Sequence, residues 1–267
     1  MQIRRYTVDQ FQEIANRIME QLKNGTLTTS YSKPEYECEV CKDNEWIMDP
    51  ETNTARKCKC AEARHYKRII KSCGITEAFL QKNFDNFNII SKQTEIMQKT
   101  SKDYAATFAL IRDKRHNSLA LLGSVGSGKT HLTIAVANEL MKNNIGVRYM
   151  QYREDIPRIK QVITNEVDYN REIGKYKHAP VLLIDDLYKN AIGKGPYGEY
   201  LNDADKRIVF EIINHRYFNG MPIIVSSECQ SDKLLDLDEG IGSRIIEMCK
   251  GHIVQVIGPE HNYRLRR

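Results

Sequence analysis

The chain has 267 residues, a length that suits one domain of typical size preceded by a small module and is short for three domains. Hydrophobic residues make up 41% and charged residues 28%, a composition that argues against a disordered chain. The net charge of +5 permits contact with nucleic acid without requiring it.

The first predicted element is an amphipathic helix in "TVDQFQEIANRIMEQLKNG", where apolar residues recur at helical spacing and Gly25 is a plausible end. The polar stretch "TLTTSYSKPEYE" then predicts a loop. No signal-type segment opens the chain, and no apolar run approaches the roughly 18 residues that span a membrane. We therefore expect a cytoplasmic protein without membrane contact.

Two close cysteine pairs follow this loop, Cys38 with Cys41 and Cys58 with Cys60. Disulfides rarely persist in the cytoplasm, whereas two such pairs are typical of a tetrahedral zinc site. The second pair is tighter than usual, so His65 could replace one of the cysteines as a ligand. A basic helix is predicted over "AEARHYKRIIKSCG", and we place the domain boundary at its end, which gives domains of residues 1–73 and 74–267.

Short apolar runs alternate with helical stretches over the rest of the chain. The runs are "SLALLG", "GVRYMQY", "PVLLIDD", "PIIVSS" and "HIVQVIG". This alternation predicts an α/β fold with a five-stranded parallel sheet flanked by helices, preceded by the small helical zinc-binding module. The segment "AIGKGPYGEY" is predicted to be a glycine-rich loop.

Residues 123–130, "GSVGSGKT", match the phosphate-loop pattern G-x-x-x-x-G-K-[ST] between an apolar strand and a helix. Glycines let the backbone turn tightly, so that its N–H groups and the start of the helix face a phosphate. Lys129 is predicted to contact the β- and γ-phosphates and Thr130 to bind Mg²⁺. The predicted nucleotide-binding residues are Gly123, Ser124, Val125, Gly126, Ser127, Gly128, Lys129, Thr130 and His131.

The run "VLLIDD" predicts a buried strand that ends in two carboxylates, at the edge of a parallel sheet where ligands bind. Asp185 is predicted to hold the Mg²⁺ shell, and Asp186 to orient or deprotonate the attacking water. The chain has no N-K-x-D guanine-recognition motif, which favours ATP.

With these motifs the chain resembles the AAA+ ATPases, and specifically the DnaC/DnaI family of replicative helicase loaders, over most of its length. The segment "ITEAFLQKNFDNF" is similar to the family's entry segment near the adenine. The resemblance implies that "PIIVSS" lies between the phosphate-loop strand and the acidic strand. It places the sensor-1 residue at Ser227 or Glu228, where relatives usually have asparagine, the arginine finger at Arg244 and the sensor-2 residue at Arg264.

The resemblance also implies a function: slow ATP hydrolysis, stimulated by DNA or a partner, in a ring or spiral that loads the replicative helicase onto single-stranded DNA. The cofactors would be ATP, Mg²⁺ and Zn²⁺, and the N-terminal domain would bind the helicase. In relatives, the region "RYMQYREDIPRIKQVITNEV" faces single-stranded DNA. Phosphate contacts could come from Arg148, Arg153, Arg158 and Lys160, base stacking from Tyr149 or Tyr152, and weaker contacts from Lys189 and Lys194. An ordinary charged surface helix explains this region equally well.

Two alternative functions stay open. A transposition-helper ATPase shares the AAA+ domain but generally lacks the cysteine module. The other alternative is a non-catalytic, ATP-binding inhibitor of a host replication protein. An acidic Glu228 would repel the γ-phosphate, which keeps a protein without hydrolysis in view.

Overall fold

The computed structural model describes residues 20, 23–24, 36–49, 52, 54–74, 76–196 and 198–265. Most of the predicted N-terminal amphipathic helix lies outside these residues. The chain divides into two compact units, the first ending at Ala61 and the second beginning at Glu62. This division falls near the start of helix α1 (Cys60–Cys73) rather than at its end, because Cys73 packs into a core of the second unit.

In its described part, the first unit contains a hairpin in which strand β1 (Trp46–Asp49) pairs antiparallel with β2 (Thr54–Lys57). The hairpin lies between the two cysteine pairs, and the N–H of Cys58 donates to the carbonyl oxygen of Glu45, 2.8 Å away. We predicted a small helical zinc-binding module, and the hairpin is an addition to that prediction. The sequence gives little signal for this hairpin, because its short strands are almost entirely exposed and lack an apolar alternation.

The remaining elements belong to the second unit, apart from the start of α1. The further strands are β3 (Leu119–Gly123), β4 (Val147–Gln151), β5 (Val181–Leu187), β6 (Ile192–Gly195), β7 (Gly198–Leu201), β8 (Ile223–Ser227) and β9 (Ile253–Val256). The further helices are α2 (Glu77–Leu80), α3 (Lys92–Ile111), α4 (Lys129–Lys142), α5 (Tyr152–Gln161), α6 (Glu166–Lys177), α7 (Asp203–Phe218), α8 (Ser231–Leu237) and α9 (Glu239–Met248). Short 3₁₀ turns follow at Pro259–His261 and Tyr263–Leu265.

Five strands form the predicted parallel sheet, in the order β4-β5-β8-β3-β9. Each of the five predicted apolar runs supplies one strand, and β8 lies between the phosphate-loop strand β3 and the acidic strand β5. The fold prediction is therefore confirmed. In a parallel sheet all strands end at the same edge, so the phosphate loop after β3 and the carboxylates of β5 are neighbours.

Helices cover both faces of the sheet, which explains why the strands are nearly continuous apolar runs. Leu119 and Leu121 of β3 belong to a core shared with α3 and α4. Ala120 and Leu122 alternate with them and belong to a second core, shared with α5 to α9. The nucleotide loop thus extends from a strand that is held on both sides.

The glycine-rich segment after β5 is a hairpin, β6 paired antiparallel with β7, where we predicted a loop. Gly193 lies opposite Tyr200, and a Cβ on Gly193 would lie 2.7 Å from the tyrosine ring. The glycine therefore makes room for a cross-strand aromatic side chain, a pattern that composition alone does not reveal.

Candidate functional site

The phosphate loop connects β3 to α4. Gly123 has φ +102°, and a Cβ there would lie 2.1 Å from the carbonyl oxygen of Val256 on β9. Gly128 immediately precedes α4 with φ +90°, and a Cβ there would lie 2.5 Å from the ring of Phe87. Only glycine fits at these positions, and the first N–H groups of α4 remain available to a phosphate.

Lys129 is buried at the start of α4, with its ammonium group turned back onto the loop. Its Nζ donates to the carbonyl oxygens of Gly123 (2.8 Å) and Ser124 (2.7 Å). Burial lowers the pKa of Lys129 to about 8, although the carboxylates of Glu228 and Asp186 favour its charged form. A bound phosphate would offer this ammonium a charged acceptor, which makes the stronger kind of hydrogen bond.

Asp185 and Asp186 end the acidic strand, and both line the same cavity. Successive side chains of a regular strand point to opposite faces. Here the register of β5 against β8 shifts between Ile184 and Leu187, and Asp186 has a left-handed backbone with φ +57°. This bulge explains how two consecutive carboxylates reach one cavity.

Asp185 accepts hydrogen bonds from three hydroxyl groups: Thr130 (2.8 Å) and Ser226 (2.5 Å) at Oδ1, and Tyr149 (3.0 Å) at Oδ2. Burial raises the pKa of Asp185, and these hydrogen bonds oppose the rise. The 2.8 Å between the Thr130 and Asp185 oxygens is close to the separation of about 2.9 Å between adjacent ligands of an octahedral Mg²⁺. The two side chains therefore fit a magnesium site.

A lysine bridges the other carboxylates of the cavity. Lys189 Nζ lies 2.9 Å from Asp186 Oδ2 and 2.7 Å from Glu228 Oε1. Burial alone would lower the pKa of Lys189, but the hydrogen bonds to Glu228 and Asp186 outweigh it and the pKa is raised. All three side chains line the cavity with Lys129.

The two sensor-1 candidates lie in different environments. Glu228 lines the cavity. Ser227 is buried outside its lining, and its hydroxyl donates to the carbonyl oxygen of Leu187 at 2.8 Å. Ser227 thus joins the ends of β8 and β5. Of the two candidates Glu228 alone lines the cavity, and the sensor-1 role stays a prediction.

The cavity has a volume of about 460 Å³ and joins the loop to the entry segment and the C-terminal turn. Every residue from Val125 to His131 lines it, and nucleotide binding by these residues stays a prediction. Gly123 and Ser124 do not line it and act through the carbonyl oxygens that hold Lys129. Phe87 of the entry segment lies in the wall, and its ring meets the His131 ring edge-on at 5.4 Å.

Arg264, the predicted sensor-2 residue, lines the cavity. The turn that carries it is joined to the phosphate loop, because the N–H of Tyr263 donates to the carbonyl oxygen of Gly126 at 3.0 Å. Arg264 therefore lies at the same cavity as the phosphate loop, and its sensor-2 role stays a prediction.

Arg244, the predicted arginine finger, lies on α9 outside the lining of this cavity. Its guanidinium lies over the rings of Phe210 (5.2 Å) and Tyr217 (5.4 Å) and donates to the carbonyl oxygen of Gly240 at 2.6 Å. A finger acts on the site of a second subunit, so this role stays a prediction.

The sequence did not predict three side chains that contact the carboxylates of the candidate site: Tyr149, Ser226 and Lys189. Ser226 donates to Asp185 and accepts from the N–H of Asp186 at 2.9 Å. A signal for Ser226 existed, because it stands at the end of the strand expected beside β5. Tyr149 and Lys189 carried no local signal and were considered only as DNA contacts.

The predicted DNA contacts of β4 and α5 are largely used within the protein. Tyr149 and Tyr152 are buried, so the prediction that either one stacks on bases is wrong. Arg158 is paired with an acidic residue three positions earlier (3.0 Å), and Lys160 with one on α7 (2.5 Å). These pairs favour the alternative of an ordinary charged helix.

The four cysteines form the group predicted to hold zinc. The sulfur atoms of Cys38, Cys41, Cys58 and Cys60 all lie within 4.8 Å of one another, including 3.8 Å between Cys38 and Cys58. Four thiolates around a tetrahedral zinc ion would be about 3.8 Å apart. Among the described residues that could bind a metal, His65 does not belong to this group. The sulfur atoms therefore fit a Cys₄ zinc site.

Three features together define an AAA+ P-loop nucleotide-binding protein: the position of β8 between β3 and β5, the phosphate loop, and the carboxylates near the end of β5. The chain belongs to the family of IstB-like ATP-binding proteins, whose family model matches residues 56–267. The resemblance to DnaC/DnaI-type AAA+ proteins is confirmed at the level of this family.

Known proteins similar to this chain come from phage-like elements and replication systems. The phage-like element PBSX protein XkdC of Bacillus subtilis (strain 168) is 34% identical over 262 residues, covering 93% of this chain and 96% of that protein. The DnaC helicase loader matches with a TM-score of 0.54 at 21% identity, covering 68% of this chain and 99% of that chain. A DnaA bound to AMPPCP and single-stranded DNA matches with a TM-score of 0.52 at 23% identity, covering 66% and 50%. These two structural matches show the fold.

In the part of the chain that the structure describes, no helix combines the length and apolar character needed to cross a bilayer.

Proposed function

We propose that this protein is an ATP-hydrolysing loader that places the replicative DNA helicase on single-stranded DNA. The observation that carries the proposal is the convergence of Lys129, Thr130, Asp185 and Asp186 in one cavity. The likeness in fold to the DnaC helicase loader supports the loading role, and the similarity to a phage-element protein favours a phage-encoded version acting in the cytoplasm.

Each residue of the cavity has a distinct role in hydrolysis. Loop N–H groups and Lys129 bind the β- and γ-phosphates, while Thr130 and Asp185 hold the metal. Mg²⁺, when bound, neutralises charge on the phosphates. Asp186 orients the attacking water and accepts its proton.

Two arginines complete this scheme. Arg264 contacts the nucleotide from the same chain, and Arg244 enters the site of a second copy in a ring or spiral. We expect slow ATP turnover by the isolated chain, because Arg244 does not line the cavity of its own chain. Turnover should become faster once DNA or the helicase promotes assembly.

The cysteine module would act as the adaptor to the helicase. Zinc bound by Cys38, Cys41, Cys58 and Cys60 supplies folding energy that so small a unit lacks. We propose that residues 1–73 grip the helicase while residues 74–267 bind ATP and single-stranded DNA. The DnaA structure with AMPPCP and single-stranded DNA supports the DNA contact through its related fold.

A closed circular single-stranded DNA tests loading directly, because a ring helicase must be opened to encircle it. We expect the full-length protein with ATP to leave helicase bound to the circle, and both Lys129→Ala and Cys58→Ser to abolish this. Cys229→Ser, at a buried cysteine outside the cluster, is the matched control. Loading that is independent of ATP and of Cys58, or no loading by the wild type, would contradict the proposal.

The two alternatives give different results in the same assay. A transposition helper would hydrolyse ATP without capturing the helicase, and the cysteine module argues against it. An inhibitor would bind the helicase and block it without detectable hydrolysis. The position of Glu228 in the cavity is the observation that favours an inhibitor.

A further inference from the structure

The nucleotide cavity contains an acidic residue where it should disfavour ATP. Glu228 follows β8 and lines the cavity together with Asp186, close to Lys129. The γ-phosphate brings further negative charge to this end of the cavity, and repulsion between like charges is strong at short range in a partly buried site. A protein that uses ATP therefore needs a group that offsets the charge of Glu228.

Lys189 is placed to offset it. Its ammonium contacts both Glu228 (2.7 Å) and Asp186 (2.9 Å), and the Lys189 and Glu228 side chains are only 22% and 33% exposed. Partly buried pairs are screened by salt much less than exposed ones.

The backbone around Lys189 has an uncommon conformation. Asp186, Tyr188 and Asn190 all have positive φ, at 57°, 65° and 62°. Residues other than glycine adopt this region infrequently, and such conformations persist only where the surrounding structure holds them. Here Tyr188 is buried between the strands and α5, which fixes the turn that carries Lys189 into the cavity wall.

We propose that Lys189 and Glu228 act as one charge-compensated unit, which allows an acidic residue to occupy the sensor-1 position of an ATP site. Lys189 is a positioning residue: it neutralises Glu228 and holds the carboxylate of Asp186, and the cavity therefore accepts the γ-phosphate. This inference rests on the proposed nucleotide site and adds to it a determinant of selectivity for ATP over ADP.

The test compares the affinities of full-length protein for AMPPCP and for ADP, both with Mg²⁺, by calorimetry. We expect Lys189→Met to weaken AMPPCP binding about tenfold, because it exposes a negative charge, and to change ADP binding less than about twofold. Adding Glu228→Gln to Lys189→Met should restore AMPPCP affinity to within about threefold of the wild type. The turnover number for ATP should fall and recover in the same order.

The ion pair of Lys175 with Glu172 on α6 provides a matched control. The Lys175 ammonium lies 2.6 Å from the Glu172 carboxylate, and neither residue lines the cavity. Lys175→Met, alone or with Glu172→Gln, should leave both affinities unchanged. Thermal unfolding of all variants separates loss of fold from loss of selectivity.

Three results would overturn the inference. Equal loss of AMPPCP and ADP affinity in Lys189→Met would indicate a general structural role. Failure of Glu228→Gln to rescue would indicate that Lys189 contacts the phosphate directly and does not compensate Glu228. A wild-type protein that binds neither nucleotide would remove the proposed site itself, a result distinct from failure of the pair alone.

Discussion

The nucleotide cavity and the cysteine cluster are both predicted ligand sites, but they are built in different ways. The cavity takes side chains from loops and strand ends of a sheet that is buried on both faces. In the described part of the first unit, the buried apolar residues are Cys41, Cys58 and Ala61, and two of these are cysteines of the cluster.

This difference indicates that the fold forms the nucleotide cavity, whereas the metal is needed to fold the cysteine module. Buried strands and loop carbonyl oxygens of the second unit hold Lys129, Asp185 and Asp186 in place, so loss of ATP should leave that unit folded. Among its described residues, the cysteine module has almost no core besides its sulfur atoms, so we expect loss of zinc to unfold it.

Removal of the metal should have the largest effect. A strong chelator should abolish the tertiary structure of the cysteine module, because structural zinc supplies about 10 kcal/mol or more to small modules. Trp46, the single tryptophan of the chain, lies in the module's hairpin and reports on it selectively. We expect its near-ultraviolet circular dichroism band to disappear while ATP binding persists. A retained Trp46 band after complete zinc removal would show that the cysteine module folds without the metal.

Asp186→Asn should have the next largest effect. General-base contributions typically amount to about 10²- to 10⁴-fold, so we expect a loss of this size in the ATP turnover number. ATP affinity should not fall, because asparagine has nearly the same size and removes a negative charge from the cavity that would hold the phosphates. The measurement is steady-state hydrolysis beside equilibrium binding, and unchanged turnover would show that Asp186 is not the base.

Lys129→Ala should weaken ATP binding by about 10- to 100-fold, because it removes a charged hydrogen-bond donor from the phosphates. The Trp46 band should not change. Lys142→Ala, at the last residue of the same helix, is the matched control, since the ion pair of Lys142 with Glu139 is exposed. Equal losses in the two variants would mean that the effect comes from the helix and not from the phosphate contact.

Tyr149→Phe should have the smallest effect. It removes one hydrogen bond to Asp185 and keeps the aromatic ring, whose centre lies 6.0 Å from that of Phe79. A hydrogen bond contributes about 1 kcal/mol net, so we expect Mg²⁺ affinity in the ATP complex to fall about fivefold. A titration of ATP binding against Mg²⁺ checks this, and an unchanged midpoint would show that the hydroxyl does not orient Asp185.

The sequence predicted the central sheet because its inner strands β3, β5 and β8 are buried on both faces and therefore form nearly continuous apolar runs. The same signal was missing for both hairpins. Strands β1 and β2 are mostly exposed, and β6 contains glycines that make room for Tyr200 on β7. Their structure depends on partners that lie far along the chain or across the turn.

The site was predictable where a motif fixes both residue type and spacing, as in the loop from Val125 to Thr130 and at Asp185 and Asp186. It was not predictable where tertiary packing decides. Tyr149 and Lys189 were considered as DNA contacts. The sheet brings the Tyr149 hydroxyl to Asp185, and the turn after β5 brings Lys189 to Glu228. Neither arrangement has a signature in local composition.

Scanning calorimetry of the full-length protein, with and without Mg²⁺–ATP and with and without a zinc chelator, tests whether the fold forms the nucleotide cavity while zinc is needed to fold the cysteine module. If the fold forms the nucleotide cavity, we expect two unfolding transitions. Mg²⁺–ATP should raise the midpoint temperature of the transition of the second unit (the sheet domain) alone, and the chelator should remove the transition of the cysteine module alone. A protein whose sheet-domain transition does not respond to Mg²⁺–ATP, or whose two ligands shift a single shared transition, would contradict it.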